Sequence, residues 1–583
     1  MYKRQHMKKK LLPALIVTGL IILVVIIMGI TALINKYTPT KKTEDLKEYF
    51  NISSDDEVAL IVNNELSDYK AKIIDKKIYV DYKFVHDSLN SRFYWDANEN
   101  VLLYTTASDI ISAAADSNSY SVTKQTNDFG YPIVKATSDS ALIALDYVKQ
   151  YSNITFKSYD DPARIVITSK WNEIDSATVS KPTQVRVKGG IKSPILKEVK
   201  KDDKITILDS GDKWDKVATE DGVIGYIKRK ALSESKKTKL TNPDYEEETF
   251  THIKKDKDIC LAWNQVTSQS ANSKVPQVIS STKGINVMSP TWFYLNDNNG
   301  NLADIASKDY VSYCHSQGIE VWGLFSNLEN TDVDAAYVLT HTSTRTTLIN
   351  QIMSAAFNYE LDGVNIDFEN ITEAAYGDSY IEFIRELSIK CHNNGISLSV
   401  DVTVPASFNK FFNRSDMAKF ADYIVIMGYD EHYKGSDAGS VSSIPWVTEG
   451  VESTLKEVPA DQIILGMPFY TRIWELTPKE DDDAVTDTED QSKYTVASQV
   501  YSMDAAAAQL ATNNATAALD EKSGQNYAEW SASNKLYKVW LEDSTSLEKR
   551  LKLVDDNKLA GAAFWKLGFE NSSVWDTVIK YLD

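Results

Sequence analysis

Between residues 361 and 370 the chain reads LDGVNIDFEN, and polar side chains recur at every second position: Asn365, Asp367 and Glu369. Side chains alternate faces along a strand, so these three share one face while Val364, Ile366 and Phe368 share the other. Cα atoms two residues apart on a strand are about 6.6–6.8 Å apart. At that separation one carboxylate disfavours ionisation of the next, so Glu369, nearest the strand's end, is a candidate general acid. A lone Asp-x-Glu pair is better read as structural carboxylates hydrogen-bonded inside a barrel. Other stretches shift the balance: YIVIMGYDEHY brings Tyr429 and Asp430 to a strand end, PFYTRIW brings Tyr470 and Arg472, and AAFWKLG brings Trp565. Aromatic rings interleaved with carboxylates suit a sugar, whose apolar ring faces stack and whose hydroxyl and amide edges hydrogen-bond.

The positioning elements follow from periodicity. From about residue 250, strand-like runs recur between helical patterns: ICLAWNQV, INVMSPTWFYL, IEVWGLFS, GVNIDFE, ISLSVDVTVP, YIVIMGYD, IILGMPFYTRIW and LAGAAFWKLGFE. Eight such runs separated by helices predict a (β/α)8 TIM barrel, with catalytic groups at the C-terminal strand ends. The long segment between the seventh and eighth runs holds an acidic stretch (Glu480 to Asp490), an Ala-rich helix at MDAAAAQLA and strands ending in KVWLED. It reads as an inserted α+β lobe. Like-charged runs are usually solvated loops, so no metal and no cofactor are assigned.

On these residues the C-terminal region resembles glycoside hydrolase family 18, the chitinase-like enzymes. DGVNIDFE is similar to the family's DGxDxDxE signature, MGYD to its M-x-Y-D, and GMPFYTR and the last-strand tryptophan accompany them. The subgroup it resembles most comprises peptidoglycan N-acetylglucosaminidases of spore-forming bacteria. The resemblance implies retaining, substrate-assisted hydrolysis: Glu369 protonates the glycosidic oxygen, and the 2-acetamido carbonyl attacks C1. It further implies that Asp367 orients the acetamido N–H and that Tyr429 holds the acetamido oxygen. Asn365, Asp430, Tyr470, Arg472 and Trp565 fall to substrate binding, and Asp362 to support of the turn. Where the family often has Asp, this chain has Asn365. Its amide is expected to donate to Asp367, keep that carboxylate ionised and shift the pH profile. A chitinase, an endo-N-acetylglucosaminidase on another glycan, and a sugar-binding lectin on a dead barrel are the alternatives. The presence of Glu369 argues against the last.

The rest of the chain sets the context. At 583 residues, with 43% apolar and 25% charged residues, several globular domains are expected. A net charge of -19 argues against a nucleic-acid partner. Cys260, Cys314 and Cys391 are few and far apart, as buried free thiols are. A basic tail, residues 1–10, precedes 24 uncharged residues, 11–34, long enough to span a bilayer and better read as an uncleaved anchor than a signal peptide. The basic flank places the tail in the cytoplasm and the catalytic domain outside. Within 50–172 a faint repeat at a shift of 63 aligns Val85 with Val148, Phe93 with Phe156, and VLLYTT with RIVITS. This duplicated α+β stalk resembles the copper amine oxidase N-terminal-like domain, though its one histidine, His86, offers no copper ligand set. Residues 178–235 form short alternating runs whose Trp214 and Gly225-Tyr226-Ile227 resemble a bacterial SH3-like domain, a small β-barrel that either binds the wall or holds a neighbour. The catalytic barrel occupies 250–583. The expected partner is a polysaccharide containing N-acetylglucosamine, peptidoglycan first.

Overall fold

The computed structural model describes residues 2–369, 371, 374–479 and 491–582. The acidic stretch from Glu480 to Asp490 lies outside them. An N-terminal helix, α1 (Tyr2–Tyr37), carries a 25-residue segment, Pro13–Tyr37, whose most apolar 18 residues have a mean hydropathy of 2.9 and are not buried in protein. By length and composition it is able to cross a membrane.

The chain divides into two compact units, residues 1–91 with 132–247, and residues 92–131 with 248–583. The 50–172 segment is therefore shared between them. In the first unit a seven-stranded sheet pairs Glu57–Val62 in parallel with Arg164–Thr168 and antiparallel with Glu65–Ile74. Seven antiparallel strands between residues 173 and 239 form a second sheet. Val185, Ile205, Val217 and Ile227 of that sheet share a core with Ala59 and Ile61.

The second unit is built on eight parallel strands: β1 (Ile259–Asn264), β2 (Val287–Leu295), β3 (Glu320–Ser326), β4 (Gly363–Asp367), β5 (Ser397–Thr403), β6 (Tyr423–Met427), β7 (Ile463–Pro468) and β8 (Gly561–Trp565). β1 pairs with both β2 and β8, which closes the barrel as the periodicity predicts. Alternation sorts each strand. Val364, Ile366 and Phe368 of β4 and its end lie in the outer core under the helices, and the Phe368 ring stacks on Phe383 at 5.5 Å. The lower lumen is apolar, filled by Leu261, Val287, Trp322, Tyr423, Val425 and Ile464. Gly363 opens β4 because a Cβ there would lie 2.6 Å from the Trp322 indole. Bulk below and polar groups above follow from one strand reading.

Two additions flank the barrel. Between β7 and β8 a five-stranded antiparallel sheet, beginning with Tyr470–Pro478, and the helix Met503–Thr512 form the inserted α+β lobe. Before the barrel, residues 92–131 contribute a five-stranded sheet that rests on α2 (Thr342–Tyr359) and α3 (Gly377–His392), the helices before and after β4. Tyr94 Oη and Ser379 Oγ are 2.9 Å apart, Thr105 Oγ1 donates to Glu382 (2.9 Å), and Asp96 accepts from Thr342 N and Oγ1 (2.6 Å each). This bracing buries most of α3 and fixes it behind the polar strand.

Candidate active site

The polar row of β4 rises through the upper lumen. Asn365 is wholly buried, Asp367 lies above it, and Glu369 stands exposed at the mouth. Packed protein surrounds the Glu369 carboxyl even so, and that desolvation, with the anions Asp430 and Glu329, raises its proton affinity above the ordinary carboxylate range. Asp367 is raised much further, by burial first, then by Asp401, Glu369 and Glu329. Its Oδ1 is buried with no hydrogen-bond partner. Such an acceptor costs free energy unless something arrives to use it.

Asn365 does not do what its position suggests. Its Nδ2 donates to Asp401 Oδ1 at 2.7 Å, while its Oδ1 accepts from Trp263 Nε1 and Ser289 Oγ, each at 3.0 Å. The expected donation to Asp367 is absent from this network, and with it the reason for Asp367 to stay ionised. Burial and its anionic neighbours therefore favour the protonated form of Asp367. Asn365 also lies beneath the cleft, out of contact with solvent, so it orients neighbours and has no exposed surface for a sugar.

The other expected residues converge on the same mouth. Tyr429 follows β6, its hydroxyl pushed up by burial and by Asp367, Asp401 and Glu369. Trp565 ends β8 half-buried, edge-on to Trp263 with centroids 6.0 Å apart; Trp263 is also edge-on to Tyr429 at 6.5 Å. Tyr470, at the start of the inserted lobe, is only 4% exposed and donates to Asp430 Oδ1 at 2.6 Å, with Arg472 Nη2 3.6 Å from the same oxygen. Asp430 takes a left-handed backbone (φ 61), a conformation Asp tolerates better than most residues, which turns its carboxylate toward the lobe. Asp362 sits at the opposite end, accepting from Val321 N and His315 Nε2 at 2.8 Å each, a strand-linking position away from the mouth.

Three contributors escape a motif-based reading. Asp401 lies on β5 within SLSVDVTV, whose strict alternation already puts Ser399 and Asp401 on the lumen face. Glu329 comes from the segment after β3, where no periodicity marks it. Trp263 ends a run that reads as plain core. A cavity of about 130 Å³ opens beside Glu369 and Asp401, walled by Phe368, Phe408, Phe411 and Met427, with Phe408 78% exposed. Among the described residues no cluster of His, Cys, Asp and Glu suits a metal ion. The arrangement is an acid at a cleft mouth above a buried, unpartnered carboxyl and among aromatic rings, which can protonate a leaving oxygen and hold an amide.

Parts of the chain are similar to known proteins. Residues 324–570, which include Asp367, Glu369, Tyr429 and Trp565, match the model of Glycosyl hydrolases family 18. The chain is 24% identical over 301 residues to the Uncharacterized glycosylase YvbX of Bacillus subtilis (strain 168), covering 49% of this chain and 81% of that one. To the Cortical fragment-lytic enzyme of the same organism it is 25% identical over 287 residues, 48% of this chain and 63% of that one. The spore cortex-lytic enzyme SleL of Bacillus megaterium QM B1551 superposes with a TM-score of 0.48 at 20% identity, over 59% of this chain and 77% of the other.

Proposed function

We propose that this chain, a glycosidase with a family 18 domain, is a membrane-anchored, extracytoplasmic enzyme that cleaves β-linked N-acetylglucosamine glycans, peptidoglycan foremost, by retaining substrate-assisted catalysis. One observation carries the reading: the buried Asp367 Oδ1 has no partner and lies directly below an accessible acid of raised proton affinity. The acetamido N–H of a bound sugar is the donor that fits it. Glu369 protonates the glycosidic oxygen while the acetamido oxygen attacks C1, and Asp367 faces the positive charge that develops on the oxazolinium ring. Tyr429 donates to the acetamido oxygen. Glu369, then a carboxylate, takes a proton from the incoming water and the configuration is retained.

Trp565, backed by the buried Trp263, forms the apolar floor under the reacting ring, and Asp430, held by Tyr470 and Arg472, meets hydroxyls at the rim. The peptidoglycan assignment draws support from the cortical fragment-lytic relative and from the apolar N-terminal helix, which would hold the barrel beside the wall.

The test is digestion of purified peptidoglycan and of chitin oligomers by the chain and by Glu369→Gln, with products identified by mass spectrometry. Muropeptides ending in reducing N-acetylglucosamine, absent with the variant, are expected. Equal activity in the variant contradicts the mechanism, and activity on chitin alone moves the assignment to a chitinase.

A further inference from the structure

Parallel pairing sets Asn365 opposite Ser399 and Ile366 opposite Val400. One step further, the same register brings Asp367 alongside Asp401 on the lumen face of strands spaced about 4.8 Å apart. Two carboxyls thus meet in the interior, on adjacent strands. We propose that Asp401 is a positioning residue that accepts the proton of Asp367 when substrate binds, so that Asp367 meets the acetamido N–H as a carboxylate. The proposal rests on the acetamido chemistry of the preceding section and assigns a role to a residue outside the signature.

The hydrogen bonds dictate where that proton sits. Trp263 Nε1 and Ser289 Oγ both donate to Asn365 Oδ1, which leaves the amide NH₂ facing Asp401. Asp401 Oδ1 is therefore already served by a donor, whereas Asp367 Oδ1 has none. Tyr380 on α3, beside both carboxyls, has a hydroxyl without a partner as well. The remaining titratable groups facing the pair are Glu369 beyond β4, Glu329 after β3 and Tyr429 after β6. None brings positive charge. Adjacent buried carboxyls in such surroundings do not both ionise, and they share one proton.

With the site empty, the amide favours the charged form of Asp401, so the proton rests on Asp367. When the acetamido N–H presents itself, the O–H bond of Asp367 breaks and one forms on Asp401 Oδ2. No net charge is created inside the barrel. The proton returns to Asp367 once water has opened the oxazolinium and the acetamido group leaves. Asn365 makes this exchange possible by holding Asp401 through its other oxygen.

The experiment uses the full-length chain in detergent and chitin tetramer as probe, and compares wild type, Asp401→Asn and the exchange variant Asn365→Asp/Asp401→Asn. Asparagine at 401 keeps a hydrogen bond with Asn365 available, so the shape of the lumen is retained, but it cannot accept a proton. Its kcat should fall by about 30-fold or more, within the range for a lost proton-transfer partner, with KM changed by no more than about threefold. Asp367 must then ionise alone in a buried site, so the acid limb of the kcat profile should move to higher pH. The exchange variant restores a carboxyl pair, and should recover most of the loss and return the limb. A folded Asp401→Asn enzyme with unchanged kcat and an unmoved acid limb overturns the proposal while leaving the glycosidase intact.

If the wild type cleaves no acetamido glycan, the functional reading fails first and the pair is judged by thermal unfolding. Both carboxyls have folded proton affinities raised by burial, so the stability they contribute is lost as pH rises through those values. Removing one should raise Tm by an amount that grows with pH. A difference that does not vary with pH overturns the shared proton.

Discussion

Two sets of buried carboxylates lie within one unit, and they are treated in opposite ways. Around the barrel four have an arginine: Glu386 accepts from Arg345 at 2.8 Å, Glu382 from Arg385 at 3.0 Å, Asp416 from the same Arg385, and Glu542 from Arg550 at 2.7 and 2.8 Å. In the upper lumen, Asp367, Asp401 and Glu369 have no ion pair among the described residues, and burial leads the causes that raise all three. Paired charges hold helices in place, and for Glu386 and Glu542 the arginine opposes the rise in proton affinity that burial imposes. Unpaired ones have nothing to oppose that rise, at a cost in stability, and a raised proton affinity is what a general acid needs.

The contrast breaks most visibly at Glu369. Glu369→Gln removes the transferable proton and keeps the shape, so kcat should fall by about 10²–10⁴-fold with Tm equal to or above that of wild type. A drop in Tm alongside the activity loss would put Glu369 with the structural set. Arg550→Met does the reverse by stranding Glu542, both side chains being 0% exposed. It should cost about 3–5 kcal/mol in denaturant unfolding, with kcat of the folded fraction unchanged.

Smaller effects sharpen the same division. Tyr429→Phe removes the donor expected on the acetamido oxygen, and a loss of about 10²-fold in kcat is expected with little change in stability. Glu329→Gln removes one of the anions that raise Glu369. Glu369 works protonated, so lowering its proton affinity moves the basic limb of the rate profile to lower pH. An unmoved limb would mean that Glu329 is screened from the acid.

Much of the lumen set was legible in the sequence because strand alternation is local. Asn365, Asp367 and Glu369 follow from it, and Asp401 was within reach by the same rule applied to SLSVDVTV. What alternation cannot supply is which neighbour an amide chooses. Asn365 turns to Asp401 across the strand gap because Trp263 and Ser289 occupy its other end, a choice made by three strands at once. Two of the arginine pairs were illegible for a like reason, since Arg345 meets Glu386 across two helices and Arg550 reaches Glu542 only after the inserted lobe closes. The same holds for residues 92–131. Their strands resemble those after the second helix of the repeat, yet they pair among themselves and brace α2 and α3, which nothing nearby in the chain announces.

The central claim is that the unpartnered oxygen of Asp367 is kept for an acetamido N–H, and it is tested most directly by altering the sugar. Initial rates are measured on chitin tetramer and on the same tetramer with the amide of the reacting residue removed to leave a free amine. The deacetylated substrate should be cleaved at least about 10³-fold more slowly, since it lacks both the nucleophile and the amide that Asp367 awaits. Comparable rates on the two would contradict substrate assistance and the role given to Asp367.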